Sequence, residues 1–273
     1  MQAPVSSDHT KSTPAARFLP WLCAIGFLCV LVVNSLSAAL PLNGRTPGEI
    51  SDSFPNLFVP AGLTFSIWGL IYIALAVFTV RQFQSRSDTA RTGWLFILSC
   101  AANVAWIFLW HYGQVAGSLI AMLVLLGSLI ALDRAQDPNR HGTHDRSTTW
   151  LSVVPIRIYL GWISVATIAN ATALLVDVGW NGFGISATAW TLVVVAVACL
   201  LGVARLLLQR DIAYASVVLW AFLGILIKHV DFFNGEYRGI IGGVVLGILI
   251  LLSGIANITV SALRAPQRKG TTK

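Results

Sequence analysis

Three groups of residues in this sequence combine aromatic rings with an amide or a small side chain at helical spacing. Phe65, Trp68 and Tyr72 follow i, i+3, i+7. Asn103, Trp106 and Trp110 repeat that interval, and Trp162, Ala166 and Asn170 follow i, i+4, i+8. Each triplet shares one face of a helix. The flat faces of indole and phenol rings can stack on an extended π-system, and a carboxamide can bond its polar edge. The chemistry on offer is therefore recognition of a flat, mostly apolar small molecule. No nucleophile–base pair, metal cluster or paired carboxylate falls at matching positions, which argues against an enzyme.

Such stripes need elements to hold them, and the composition says which. The chain has 273 residues, 56% of them hydrophobic and only 11% charged, with a mean hydropathy of +0.76. A soluble domain carries about 25% charged residues. Disorder, collagen, coiled coil and a disulfide-stapled module are excluded by the same numbers. The expected fold class is all-α, a polytopic helical bundle in a lipid bilayer. A helix crosses the hydrocarbon with about 20 apolar residues. Eight stretches qualify: 18–40, 61–80, 93–110, 114–132, 151–176, 187–208, 212–230 and 239–263. Only His111, Tyr112 and Gly113 join the third and fourth, which predicts a tight antiparallel hairpin. Residues 18–40 exceed a signal-peptide apolar core and are expected to stay as a span.

The charges support that parse. With the N-terminus in the cytoplasm, the inner segments and helix ends hold fourteen of the eighteen Lys and Arg. The outer ones hold Arg45, Lys228 and Arg238, while Arg157 falls inside the fifth span near its inner end. This alternation is the positive-inside pattern, and it puts both termini, 1–17 and the basic 264–273, in the cytoplasm of a multi-pass cell-membrane protein. The net charge of +7 is spread between apolar runs, so no nucleic-acid partner is expected.

Other features are ambiguous on sequence alone. The outer loop 41–60 carries Pro41, Pro47, Pro55 and Pro60, whose fixed φ suits either a lid over the bundle or a stiff connector. His141-x-x-His144 lies in a charged inner loop and reads as solvated rather than metal-binding. Gly239, Gly243 and Gly247 suit a homodimer seam or close packing within one chain. Cys23, Cys29, Cys100 and Cys199 read as buried small hydrophobes, and Lys228 with Asp231 as an interfacial pair. Trp21, Trp94, Trp150, Trp180 and Trp190 sit at helix ends, where an interfacial belt explains them. By contrast, a rise of about 1.5 Å per residue puts Trp162 and Asn103 near mid-membrane. Phe65, Trp68, Trp106, Ala166 and Asn170 then fall in the outer half, beneath the proline-bearing loop.

These stripes resemble the tryptophan-rich sensory protein/translocator protein (peripheral benzodiazepine receptor) family. Its second-helix signature is similar to Pro60-Ala61-Gly62 followed by Phe65, Trp68 and Tyr72. Its third-helix Asn-x-x-Trp resembles Asn103-Val104-Ala105-Trp106, and its fifth-helix pattern matches Tyr159, Trp162, Ala166 and Asn170. Phe58 stands where the family usually has Trp, Ala61 replaces a proline, and Ile158 replaces the proline before Tyr159. The cholesterol-recognition pattern of some members has no counterpart after the fifth span. The resemblance covers residues 18–180 and implies a five-helix ligand-binding core, leaving 181–263 as a three-helix extension. It implies a pocket for a tetrapyrrole-like ligand, capped by the first loop and lined by Phe58, Phe65, Trp68, Tyr72, Asn103, Trp106, Trp110, Trp162, Ala166 and Asn170. No resident cofactor or haem-ligating histidine is expected, since His111 and His229 lie at helix ends. The expected function is a receptor or carrier. A secondary transporter and an intramembrane enzyme acting on a pigment or lipid are the alternatives, both short of ionisable groups at depth.

Overall fold

The computed structural model describes residues 14–40, 42–84, 89–136 and 146–264. The His141-x-x-His144 loop, Pro41 and the two terminal tails lie outside them. Among the described residues every regular element is a helix, and no group of three or more His, Cys, Asp or Glu is arranged to hold a metal. The order is α1 Pro14–Ala39, α2 Pro47–Asp52, a 3-10 turn Gly62–Ser66 leading into α3 Ile67–Gln84, α4 Thr89–His111 and α5 Val115–Ala135. Then come α6 Arg146–Asp177, α7 Ala187–Gln209, α8 Ile212–Ile227 with a π turn Lys228–Phe232, and α9 Arg238–Arg264. All but α2 are long and apolar enough to cross a membrane, eight spans in total.

The spans overrun their apolar stretches at polar ends. α4 starts at Thr89 rather than 93, and α6 at Arg146 rather than 151. Hydropathy marks the part of a helix that needs lipid, while backbone hydrogen bonding carries the helix further into the polar interface. The hairpin between α4 and α5 is as tight as expected: Gly113 takes φ +70°, and Gln114 N–H closes on Leu109 O at 2.8 Å.

Helices α1, α4, α5, α6 and α3 pack in that order as a closed ring. Asn34 on α1 donates to Asn103 Oδ1 on α4 at 2.7 Å, and Asn103 Nδ2 donates to Tyr159 OH on α6 at 3.0 Å. This chain of polar groups pins three helices together within an apolar core. Helix α8 docks on the outside of α6, and α9 lies against both α7 and α8. Two of the spaced glycines serve that packing. A Cβ at Gly243 would sit 2.6 Å from the Leu192 side chain, and one at Gly247 2.6 Å from Phe222, whereas Gly239 faces open space. Of the cysteines, Cys23, Cys100 and Cys199 are buried as expected, but Cys29 is exposed on the flank of α1.

One end of the bundle carries the start of α1 and the end of α9, and is called here the termini end; the other, beside α2, is the lid end. At the termini end four charges close on one another. Arg157 Nε lies 3.0 Å from Asp133 and 3.6 Å from Asp211; Arg205 lies 2.8 Å from Asp133 and bonds Asp211 through both Nε and Nη2. The side chains of Asp133 and Asp211 are only 6% and 1% exposed. Arg157, the cation that fitted no segment, thus belongs to a neutral cluster joining α5, α6, α7 and the α7–α8 turn.

Candidate functional site

The lid is built by local sequence. Thr46 accepts from Glu49 N–H, and the Glu49 carboxylate accepts from Thr46 N–H at 2.7 Å, a reciprocal capping box with Pro47 in the first turn of α2. The Thr46 amide and hydroxyl hold the Glu49 carboxyl below its ordinary pKa. Helix α2 is then fastened on two sides. Towards the ring, Trp110 Nε1 donates to Pro47 O at 3.3 Å, Phe54 packs on Trp110, and Asn43 donates to His111 O at 2.9 Å. Towards the last helices, His229 Nε2 donates to Leu57 O at 2.9 Å and Lys228 pairs with Asp52 at 2.8 Å. Lys228 therefore reaches the lid rather than Asp231. Trp220 Nε1 donates to Thr64 O at 2.9 Å, and Ala61 N–H to Gly224 O at 3.0 Å. The proline-bearing loop is a strapped cap over the bundle, not a free connector.

Beneath it the three stripes converge. Tyr72, Trp68, Trp106 and Trp110 form a near-parallel column, with ring centroids 5.7, 6.3 and 6.2 Å apart and interplanar angles of 23°, 27° and 20°. Trp162 meets Trp68 edge-on at 6.3 Å and Phe65 at 5.8 Å. Such offset and edge-to-face contacts match the ring quadrupoles. Phe65, Trp68, Trp106, Trp110, Trp162, Ala166 and Asn170 all border one cavity, roofed by Pro47, Ser51 and Pro60. The rings nearly fill it, leaving about 40 Å³. A second cavity of about 470 Å³ shares Pro47, Phe65, Trp68 and Trp106 and extends past Tyr72 to Asn34, Glu49 and Asp52. Trp68 and Trp106 are thus a common wall. Ligand sites run to about 300–1,000 Å³, so the second cavity already has that size.

The amides divide. Asn170 borders the first cavity, takes the Trp106 indole N–H at 3.2 Å and exchanges hydrogen bonds with Ser118 at 3.0 Å, so it fixes the plane of Trp106. Asn103 is wholly buried, and both ends of its amide are engaged by Asn34 and Tyr159. It borders neither cavity and ties helices together, because an amide inside a ring of helices satisfies itself on the nearest partner. Phe58 also lies elsewhere: its ring is 1% exposed and borders a separate cavity of about 360 Å³ beside Trp180 and Trp190. Phe58 lies in a bend, and the backbone from Val59 to Ala61 is not helical before the 3-10 turn begins, so Phe58 is not carried on the stripe continued by Phe65.

Four buried side-chain polar atoms have no hydrogen-bond partner among the described residues, Thr64 Oγ1, His111 Nε2, His229 Nδ1 and Trp162 Nε1, and of these residues only Trp162 borders the aromatic cavity. Trp162 is 3% exposed, and its indole N–H has no acceptor among the described residues. Burying an unpaired donor costs about 1–3 kcal/mol. Further features shape the site, and two of them carry a signal in the sequence. The Thr46-Pro47-Gly48-Glu49 run is a legible capping signal, and Asn34 is a polar residue within an apolar run. The Asp133–Arg205 and Asp211–Arg157 pairings have no sequence signal, since their partners are far apart in the chain.

A family model described as TSPO-like protein matches residues 20–257. The chain belongs to the TSPO-like family. The match runs beyond the 18–180 core through α7 and α8 and into α9, so the family pattern spans the helices that strap the lid as well as the ring beneath it. No curated protein and no solved structure matches this TSPO-like chain.

Proposed function

We propose that this TSPO-like protein is a non-enzymatic receptor or carrier that binds a flat hydrophobic molecule of the tetrapyrrole class between the lid and the Trp68–Trp106–Trp110 column. The observation that carries the proposal is the unpaired indole N–H of Trp162 within an aromatic cavity walled off from a larger one by Trp68 and Trp106. A ring displacement at that wall merges the two spaces. The ligand then stacks on indole faces and offers an acceptor to Trp162, converting a buried cost into a hydrogen bond. The Lys and Arg distribution supports a cell-membrane orientation with both termini in the cytoplasm and the lid outside.

Titration of the purified protein with protoporphyrin IX, read by quenching of tryptophan emission, tests this. Losing one neutral hydrogen bond, about 1 kcal/mol, weakens binding about fivefold. Trp162→Phe should show that loss, and Trp180→Phe, at the separate cavity, should not. Equal affinities for the wild type and Trp162→Phe, or no porphyrin binding at all, would remove the proposal.

A further inference from the structure

Helices α5, α6 and α7 leave a cleft of about 390 Å³ that opens on the membrane face near the termini end. Its upper walls are apolar, with Leu126, Ile130, Ile168 and Leu201. At the mouth stand Arg134 and Gln209, and behind them the four-charge cluster. The cluster is closed on itself: Arg205 has Nη1 on Asp133 and both Nε and Nη2 on Asp211. Its two arginines and two aspartates cancel. Arg134 does not belong to it; it is exposed, and no carboxylate among the described residues pairs with it. Among the described residues, the mouth therefore carries one cation that no carboxylate pairs with, over a slot with apolar upper walls.

We infer that this cleft seats one anionic phospholipid from the leaflet at the termini end, its phosphate on Arg134 and Gln209 and an acyl chain along Ile130, Ile168 and Leu201. The argument is complementarity at both ends of one molecule. A phosphate with no positive headgroup offsets Arg134, and guanidinium binds phosphate well. A zwitterionic lipid brings its own cation to the same mouth and gains less. An acyl chain suits the slot because the hydroxyls of Ser164 and Thr167 on its wall are already engaged by Leu160 O and Ile163 O within their own helix. The site lies at the opposite end of the bundle from the lid and does not depend on what binds there.

Native mass spectrometry of the full chain, taken from nanodiscs containing equal amounts of phosphatidylglycerol and phosphatidylcholine with the same acyl chains, tests it. One retained phosphatidylglycerol with about a fivefold preference is expected, from one Arg near the membrane surface. Arg134→Gln should bring retention of the two lipids to parity. Arg91→Gln, also exposed near the same end, should leave the preference intact. Leu201→Trp, which fills the slot from a half-exposed position, should reduce retention of both lipids while the protein stays folded. Equal retention in the wild type, an equal loss in Arg91→Gln, or displacement of the lipid by millimolar inorganic phosphate would overturn the inference.

Discussion

Asp211→Ala should be the most destabilising single substitution outside the aromatic site. Asp211 is 2% exposed and does two things at once. Its Oδ1 caps α8 by accepting from Tyr214 N–H at 3.0 Å, and its Oδ2 takes the guanidinium of Arg205 with Arg157 nearby. Removing one partner of a buried ion pair costs about 3–5 kcal/mol, because a charge remains without compensation. The two arginines keep side-chain exposures of 18% and 15%, which places the loss near the lower end, about 3 kcal/mol. The lost cap adds about 1 kcal/mol. A change of this size lowers the melting temperature of a protein this large by roughly 10 °C. Asp211→Asn keeps the capping oxygen and should fall between wild type and Asp211→Ala. Melting in detergent, followed by tryptophan emission, checks both; a shift under about 2 °C for Asp211→Ala would mean the cluster contributes little.

The second large effect links the last helices to the site. A Cβ at Gly224 would lie 2.8 Å from Thr64 Cβ and Cγ2 and closer still to its Oγ1. Only the absence of a side chain lets α8 reach the 3-10 turn, where Gly224 O accepts from Ala61 N–H and Trp220 Nε1 donates to Thr64 O. Gly224→Val must push that turn away at a cost of about 1–3 kcal/mol. The turn leads directly to Phe65 and Trp68, so displacing it spoils the stacking geometry too. Porphyrin affinity should fall about tenfold or more, consistent with aromatic pairs worth about 0.5–1.5 kcal/mol each. Gly239→Val, facing open space, should change neither property. Normal binding by a folded Gly224→Val protein would show that the extension does not shape the cavity.

What the sequence made legible follows from what periodicity can carry. The eight spans were readable because lipid demands long apolar runs, and the stripes because i, i+3 and i+4 spacing fixes which residues share a face. That logic gathered Trp68, Trp106, Trp110, Trp162 and Asn170 around one cavity. It cannot say how far a side chain reaches or which neighbour it meets. Asn103 shares a stripe with Trp106, yet its amide turns to Asn34 and Tyr159. Phe58 shortly precedes Phe65, but bent and non-helical backbone separates them, so helical spacing does not relate their side chains. The pairing of Lys228 with Asp52 instead of Asp231 has the same origin: proximity along one helix competes with a partner 176 residues away.

Amide hydrogen exchange of the protein in nanodiscs, with and without saturating protoporphyrin IX, locates the ligand most directly. Binding under the lid predicts slower exchange in Pro47–Asp52 and in residues 62–68, with segment 180–190 unaffected. Protection confined to 180–190, or tight binding that leaves the lid helix exchanging as before, would contradict a site beneath it.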